Sequence, residues 1–312
     1  MYNYDSSGTR WNRGETVLNA SNVSKLHEKW RYLTTGDVYA TPAVVDNTVY
    51  FGDSSGVFYA LTSHGQLVWK TKVSGPITAS ALVTNTMVIF GDQAGYIYGL
   101  DRANGSLNWH VHPNPSTIAQ IWSSPTWLGT NIVIGIGSSS DLASKAPGFS
   151  GSVVRIDPDT GAVRWQTFMV SPSELLNGSS GAGVWDTPTY DPTTGLIYMG
   201  TSDSYTSPGS ASSDAVLALD AATGAIKWTY QATKGDVSQI DVDFGDSPHI
   251  YSLGDRHVIG IGQKTGRFFV LDDATGALVT TPLQVVPECH GSNGLFATAA
   301  VAGNKVFAPG QN

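Results

Sequence analysis

The chain has 312 residues, a formal net charge of -8, a pI near 5.2 and a single cysteine, Cys289. No basic run offers itself to nucleic acid, no apolar stretch reaches membrane-spanning length, and one cysteine excludes an internal disulfide or a paired-cysteine metal site. Charged residues make up only 13% of the chain against 35 glycines, a balance suited to many short strands joined by tight turns.

The segment Lys29-Trp-Arg-Tyr-Leu33 reads as an outer strand without a sheet of its own. A four-strand unit then begins: Ala40–Val45 with Pro42 near its start, Thr48–Phe51, Val57–Leu61 and Gln66–Lys70. Its second half, Phe58 to Trp69, is a phrase that returns as Ile97–Trp109, Val153–Trp165 and Val216–Trp228, and without the tryptophan as Phe268–Thr280. The shared pattern is apolar-x-apolar-Asp-x-x-Thr-Gly-x-apolar-x-Trp: a strand, a turn closed by Asp and Gly, and a second strand ending on a large aromatic. Self-similarity at a fixed period marks a repeat architecture. The expectation is an all-β propeller of four-stranded antiparallel blades at about 40–73, 78–113, 121–170, 184–233 and 244–285, with a partial sixth at 296–312. The chain opens at Met1 in sequence already like the domain and stops at Asn312 directly after a strand, so a truncated propeller of about five and a half blades is expected. Long insertions fall at 138–150 and 203–213, where a rigid scaffold would hold binding loops.

In such a meander the loop entering the first strand and the loop joining the second and third lie on one face. That face collects Asp53, Asp92, Asp141, Asp203, Gln263 and Lys264 after the second strands, and Trp122, Trp185, Asp186, Asp241, Asp243 and Asp246 before the first. Asp53 and Asp92 read as turn residues; Asp157, Asp220 and Asp272 belong to the repeat and read as structural; Trp69, Trp109, Trp165 and Trp228 read as blade packing. Trp185 breaks the repeat, which makes a ligand-stacking surface near the axis. Crowded carboxylates at Asp241, Asp243 and Asp246 call for a cation or a shared proton, with Lys264 as one source of charge and Ca²⁺ bound by Asp203 and this cluster as another.

The phrase resembles the repeat of pyrroloquinoline quinone (PQQ) dependent alcohol dehydrogenases. So do Gly8-Thr-Arg-Trp-Asn12, Gly183-Val-Trp-Asp-Thr-Pro188, Gly200-Thr-Ser-Asp203, Asp241-Val-Asp-Phe-Gly-Asp-Ser-Pro248 and Gly262-Gln-Lys-Thr-Gly266, which look most like the polyvinyl-alcohol-dehydrogenase-like branch. The resemblance implies an eight-bladed propeller with PQQ stacked on Trp185, Asp186 beside it and Lys264 on the quinone oxygens. It implies Ca²⁺ ligands at Asp141, Asp203 and Asp241, and a catalytic base at Asp241 or Asp243, with Asp236 as runner-up. The implied reaction is oxidation of a secondary or polymeric alcohol by proton abstraction and hydride transfer, in the periplasm or outside the cell. The adjacent cysteine pair of many members is absent, and no Cys-x-x-Cys-His haem motif occurs, so a separate electron acceptor such as a cytochrome c is implied. The alternatives are a non-catalytic scaffold for protein partners, like the outer-membrane assembly lipoprotein that uses similar blades, and a carbohydrate- or polymer-binding surface around Trp122 and Trp127.

Overall fold

A computed structural model describes residues 2–138, 148–234, 241–288 and 294–310. Five antiparallel sheets follow one another along the chain, each a meander in chain order. Blade one is Ala43–Val45, Thr48–Gly52, Val57–Thr62 and Leu67–Lys72, and blade two is Leu82–Val83, Met87–Gly91, Ile97–Asp101 and Leu107–Val111. Blade three is Thr126–Trp127, Ile132–Ser138, Ser152–Ile156 and Val163–Phe168, with Ala119–Gln120 added against the end of its second strand. Blade four is Thr189–Asp191, Leu196–Gly200, Ala215–Asp220 and Ile226–Gln231. Blade five is His249–Leu253, Arg256–Gly262, Arg267–Asp272 and Leu283–Gln284, and a two-stranded unit, Ala300–Ala302 with Lys305–Phe307, begins a sixth.

The repeat phrase explains the blade locally. Asp101 Oδ1 accepts from Ala103 N and Asn104 N while Gly105 N reaches back to Asp101 O, and Gly105 takes φ +74°. Asp157 and Asp220 build the same turn. A register shift follows in each of the first four outer pairs, as a left-handed glycine with a bulge requires. Each outer-strand tryptophan then docks into the turn of the next blade. Trp69 Nε1 donates to Arg102 O, Trp109 to Pro158 O, Trp165 to Ala221 O and Trp228 to Asp273 O, all at 2.9–3.1 Å. The indole lies so close to the turn glycine that a Cβ on Gly161 would stand 2.7 Å from Trp109. The core therefore runs between blades as well as within them: Phe58, Ile77 and Phe90 join blades one and two, and Tyr198, Phe244, Ile259 and Phe269 join four and five.

Three expectations change. Residues 29–33 form no strand, yet Trp30 Nε1 donates to Ser63 O and its ring lies against Gly65, so it docks on blade one as the other tryptophans do on theirs. In blade five the outer strand falls at Leu283–Gln284, beyond the residues up to Thr280; with no tryptophan to anchor it, Leu278 makes only an isolated bridge to Leu271. A short helix, Pro172–Leu176, was not expected in an all-β chain, although Ser171 and Glu174 form the capping box that starts it. Glu174 also accepts from Ala211 N and Ser210 Oγ, which ties the helix to the 203–213 insertion.

Residues 6–9 run across the inner strands of three blades. Ser6 O, Ser7 O and Thr9 O accept from Tyr190 N, Ile250 N and Val301 N, so one strand of chain bridges the innermost strands of blades four, five and six.

Candidate functional site at the propeller axis

A three-residue unit precedes each inner strand: Ile77-Thr-Ala79, Ile121-Trp-Ser123, Val184-Trp-Asp186, Phe244-Gly-Asp246 and Leu295-Phe-Ala297. Its first residue packs on a glycine of the second strand of the preceding blade. A Cβ on Gly135, Gly200 or Gly262 would stand 2.6 Å from Val184, Phe244 or Leu295. Its third residue, where polar, folds back on its own blade. Ser123 Oγ accepts from Gly135 N at 3.1 Å, Asp186 Oδ2 from Gly200 N at 2.7 Å and Asp246 Oδ2 from Gly262 N at 2.9 Å. The middle residue is left to face the axis, and Tyr39, Thr78, Trp122, Trp185, Gly245 and Phe296 line one opening of about 220 Å³. Hydroxyls complete it in a relay: Ser80 N donates to Ser124 Oγ, Ser124 N to Thr187 Oγ1 and Thr187 N to Ser247 Oγ. Each of these hydroxyls accepts from backbone and keeps its own hydrogen to donate.

Beside Trp185 lies a tight cluster of charge. Lys264 Nζ stands 2.6 Å from Asp241 Oδ1 and 2.7 Å from Asp243 Oδ1, and 5.2 Å from the ring centres of both Trp185 and Phe296. Trp185 Nε1 donates to Asp243 Oδ2 at 2.9 Å. Asp243 is buried, Lys264 nearly so, and Asp241 is partly exposed and held at φ +46°. Burial works against the Lys264 charge, but the carboxylates of Asp243 and Asp241 outweigh it and hold the ammonium well above its usual range.

The structure thus brings Trp185, Asp241, Asp243 and Lys264 together and adds Phe296, which the sequence reading passed over. Asp186 lines the same opening, with one oxygen spent on Gly200 N and the other buried without a hydrogen bond. Burial, with the charges of Asp246 and Asp243 behind it, pushes the Asp186 carboxyl well above the usual carboxylate range. Asp203 is buried at the end of blade four's second strand. Among the described residues, Asp203, Asp241 and Asp243 do not join any group of three acidic, His or Cys side chains whose ligand atoms all lie within 4.8 Å. Asp141, Asp236 and Cys289 lie outside the described residues. Asp53 and Asp92 are turn clamps, as expected. Asp53 accepts from Ser55 N, Val57 N and the Tyr59 hydroxyl, and Asp92 from Ala94 N, Tyr96 N and the Tyr98 hydroxyl. Burial favours protonation of Asp53, but these bonds hold it below the usual range. Trp127 packs against the core of blades two and three, while Trp122 stays at the axis, so the two do not make one surface.

A profile of the glucose/ethanol/alcohol dehydrogenase β-propeller domain matches residues 103–288. The chain belongs to this family of PQQ-dependent dehydrogenase propellers. A profile of the outer membrane protein assembly factor BamB matches residues 8–189. Polyvinylalcohol dehydrogenase of a Pseudomonas species is 28% identical over 302 residues, which cover 84% of this chain and 47% of that protein. The chain spans about half the length of the curated relatives it matches. The crystal structure of quinohemoprotein alcohol dehydrogenase from Comamonas testosteroni superposes with a TM-score of 0.79 at 26% identity, covering 91% of this chain and 48% of that one. BamB from Moraxella catarrhalis, at 19% identity, covers 89% and 84% with a TM-score of 0.52. No helix among the described residues is long and apolar enough to cross a membrane.

Proposed function

We propose that the protein serves PQQ-dependent oxidation of an alcohol, with the axial opening as the cofactor site. The observation that carries this reading is the Lys264 ammonium held between Asp241 and Asp243 against the face of Trp185. These residues fit a flat polyanionic quinone: an indole wall, a buried cation and a belt of donor hydroxyls. PQQ, when bound, supplies the two-electron acceptor that takes the hydride equivalent from the carbinol carbon. Lys264 is the electropositive group that would stabilise charge developing on a quinone oxygen. Asp241, the partly exposed carboxylate, takes the base role and receives the hydroxyl proton; Asp243, buried, holds Trp185 and Lys264 in position. Asp203 shares no group of three acidic, His or Cys ligands with this cluster among the described residues, so no step is assigned to Ca²⁺, and a calcium role rests with Asp203 and Asp141. A secondary or polymeric alcohol as substrate, a separate electron acceptor such as a cytochrome c, and a periplasmic or secreted setting belong to the same proposal.

The scaffold reading has the BamB match in its favour. Against it, Asp241, Asp243 and Lys264 lie beyond residue 189 and inside the dehydrogenase match. Thermal melts with and without PQQ, each with and without Ca²⁺, separate the two. A ligand specific for the folded state, present at a hundredfold excess over its Kd, adds about 2.7 kcal/mol and raises the midpoint. A cooperative melt that PQQ leaves unmoved favours the scaffold. If Asp203→Ala keeps the same Ca²⁺ response as the parent, Asp203 is not a calcium ligand.

A further inference from the structure

On the opposite face, where first strands turn into second and third into fourth, a different trio meets. Asp191 ends the inner strand of blade four, His257 begins the second strand of blade five, and Asp273 follows that blade's third strand. One ligand atom from each lies within 4.8 Å of the others, and His257 Nδ1 is 4.0 Å from Asp273 Oδ2. We infer that Asp191, His257 and Asp273 bind a divalent transition-metal ion that ties blade four to blade five.

The surroundings support a cation there. The Tyr198 hydroxyl is fully buried beside Thr194, and it lies close enough to Asp273 and Asp191 for both carboxylates to disfavour its ionisation. Asp191 is already oriented: Thr193 N and Thr193 Oγ1 donate to one oxygen and Thr194 Oγ1 to the other, leaving lone pairs for a metal. Asp273 is anchored at its backbone, since its carbonyl receives Trp228 Nε1 from blade four's outer strand. Burial pushes the Asp273 carboxyl up; His257 opposes this, while the charges of Asp272 and Asp191 add to it. His257 is the exposed partner, with 54% of its side chain open to solvent, and it provides the entry path.

Two carboxylates and one imidazole suit Zn²⁺ or Mn²⁺ better than Ca²⁺, which prefers six or more oxygens. Zinc bonds of about 2.0–2.2 Å put neighbouring tetrahedral ligand atoms roughly 3.4 Å apart, against 4.0 Å between His257 Nδ1 and Asp273 Oδ2. Three protein ligands leave a fourth position for water. This inference is independent of the quinone site.

The test uses the full chain, stripped with EDTA, dialysed and titrated calorimetrically with ZnCl₂ and, separately, MnCl₂ in PQQ-free buffer. Binding of one equivalent with a raised melting midpoint is expected. His257→Ala, at an exposed position that the fold does not need, should weaken it at least tenfold, as should Asp273→Asn, while Asp241→Ala on the far face should not change it. No binding to the parent, or equal binding to His257→Ala, overturns the inference.

Discussion

Replacing Lys264 by Met tests the axial cluster directly. The side chain is 6% exposed and its ammonium serves two carboxylates, one of them 1% exposed. Breaking a buried pair by removing one partner costs about 3–5 kcal/mol, because the charge left behind has lost its solvent and its counter-ion. At about 2 °C per kcal/mol for a chain of this size, the midpoint should fall by about 6–10 °C. The pH must be chosen with the sign in view. Lys264 has its pKa raised by folding, so its contribution is complete below the ordinary lysine value of 10.5 and fades only as pH climbs through the higher folded value. At pH 7 the full loss should be seen. The double variant Lys264→Met/Asp243→Asn removes the orphaned buried charge and should recover part of the stability, with a coupling of about 2–3 kcal/mol in the cycle. Thermal melts by circular dichroism and urea melts by tryptophan fluorescence give both quantities. A Lys264→Met midpoint within about 2 °C of the parent, or a double variant that is the sum of the singles, would refute the electrostatic account of this site.

Trp109→Ala removes an 8% exposed indole that donates to Pro158 O in the next blade, and should cost about 3–5 kcal/mol in urea unfolding. Leu107→Ala on the exposed side of the same strand should stay within about 0.5 kcal/mol, and equal losses from both would discount the docking role of the tryptophan. Asp186 follows the same sign rule as Lys264, but in the acid range. Its folded pKa is raised, so the stability that goes with the protonated form is present below the ordinary carboxylate range and is lost as pH rises through the folded value. The midpoint of Asp186→Asn, which still accepts from Gly200 N, should therefore gain on the parent between pH 5 and pH 8. A gap that stays constant over that range would show that Asp186 is ionised in the fold.

The blades were legible because each repeat carries its own turn chemistry. Asp101, Asp157, Asp220 and Asp272 with their following glycines fix a turn by bonds only a few residues long, and local rules suffice for such bonds. The docking of Trp69, Trp109, Trp165 and Trp228 followed from the same repetition. Trp185 and Lys264 stood out as departures from it. Phe296 did not, because its phrase has drifted; the register of Leu295 on Gly262, shared with Val184 on Gly135, is the signal that places it at the axis. Asp186, named with Trp185 from the sequence, lines the same opening and is fixed there by the bond it accepts from Gly200 N. Trp30 was read as part of a strand without a sheet; it docks on blade one with no strand around it, since a tryptophan can dock without a ladder beneath it. The Asp191–His257–Asp273 trio was invisible in sequence because no period connects its members. Only the seam between two blades does.

The bridge made by residues 6–9 bears on how the molecule assembles in time. Arg10 and Thr298 share a hydrogen bond although they are 288 residues apart. The blades can each form from neighbours in the chain, but this first segment has nothing to bind until blades four, five and six exist. Contacts of such sequence separation carry a high loop-closure cost and form late. Weakening them should therefore leave the folding rate nearly unchanged and speed unfolding, so that the amino-terminal strand acts as a latch governing how long the ring survives once made.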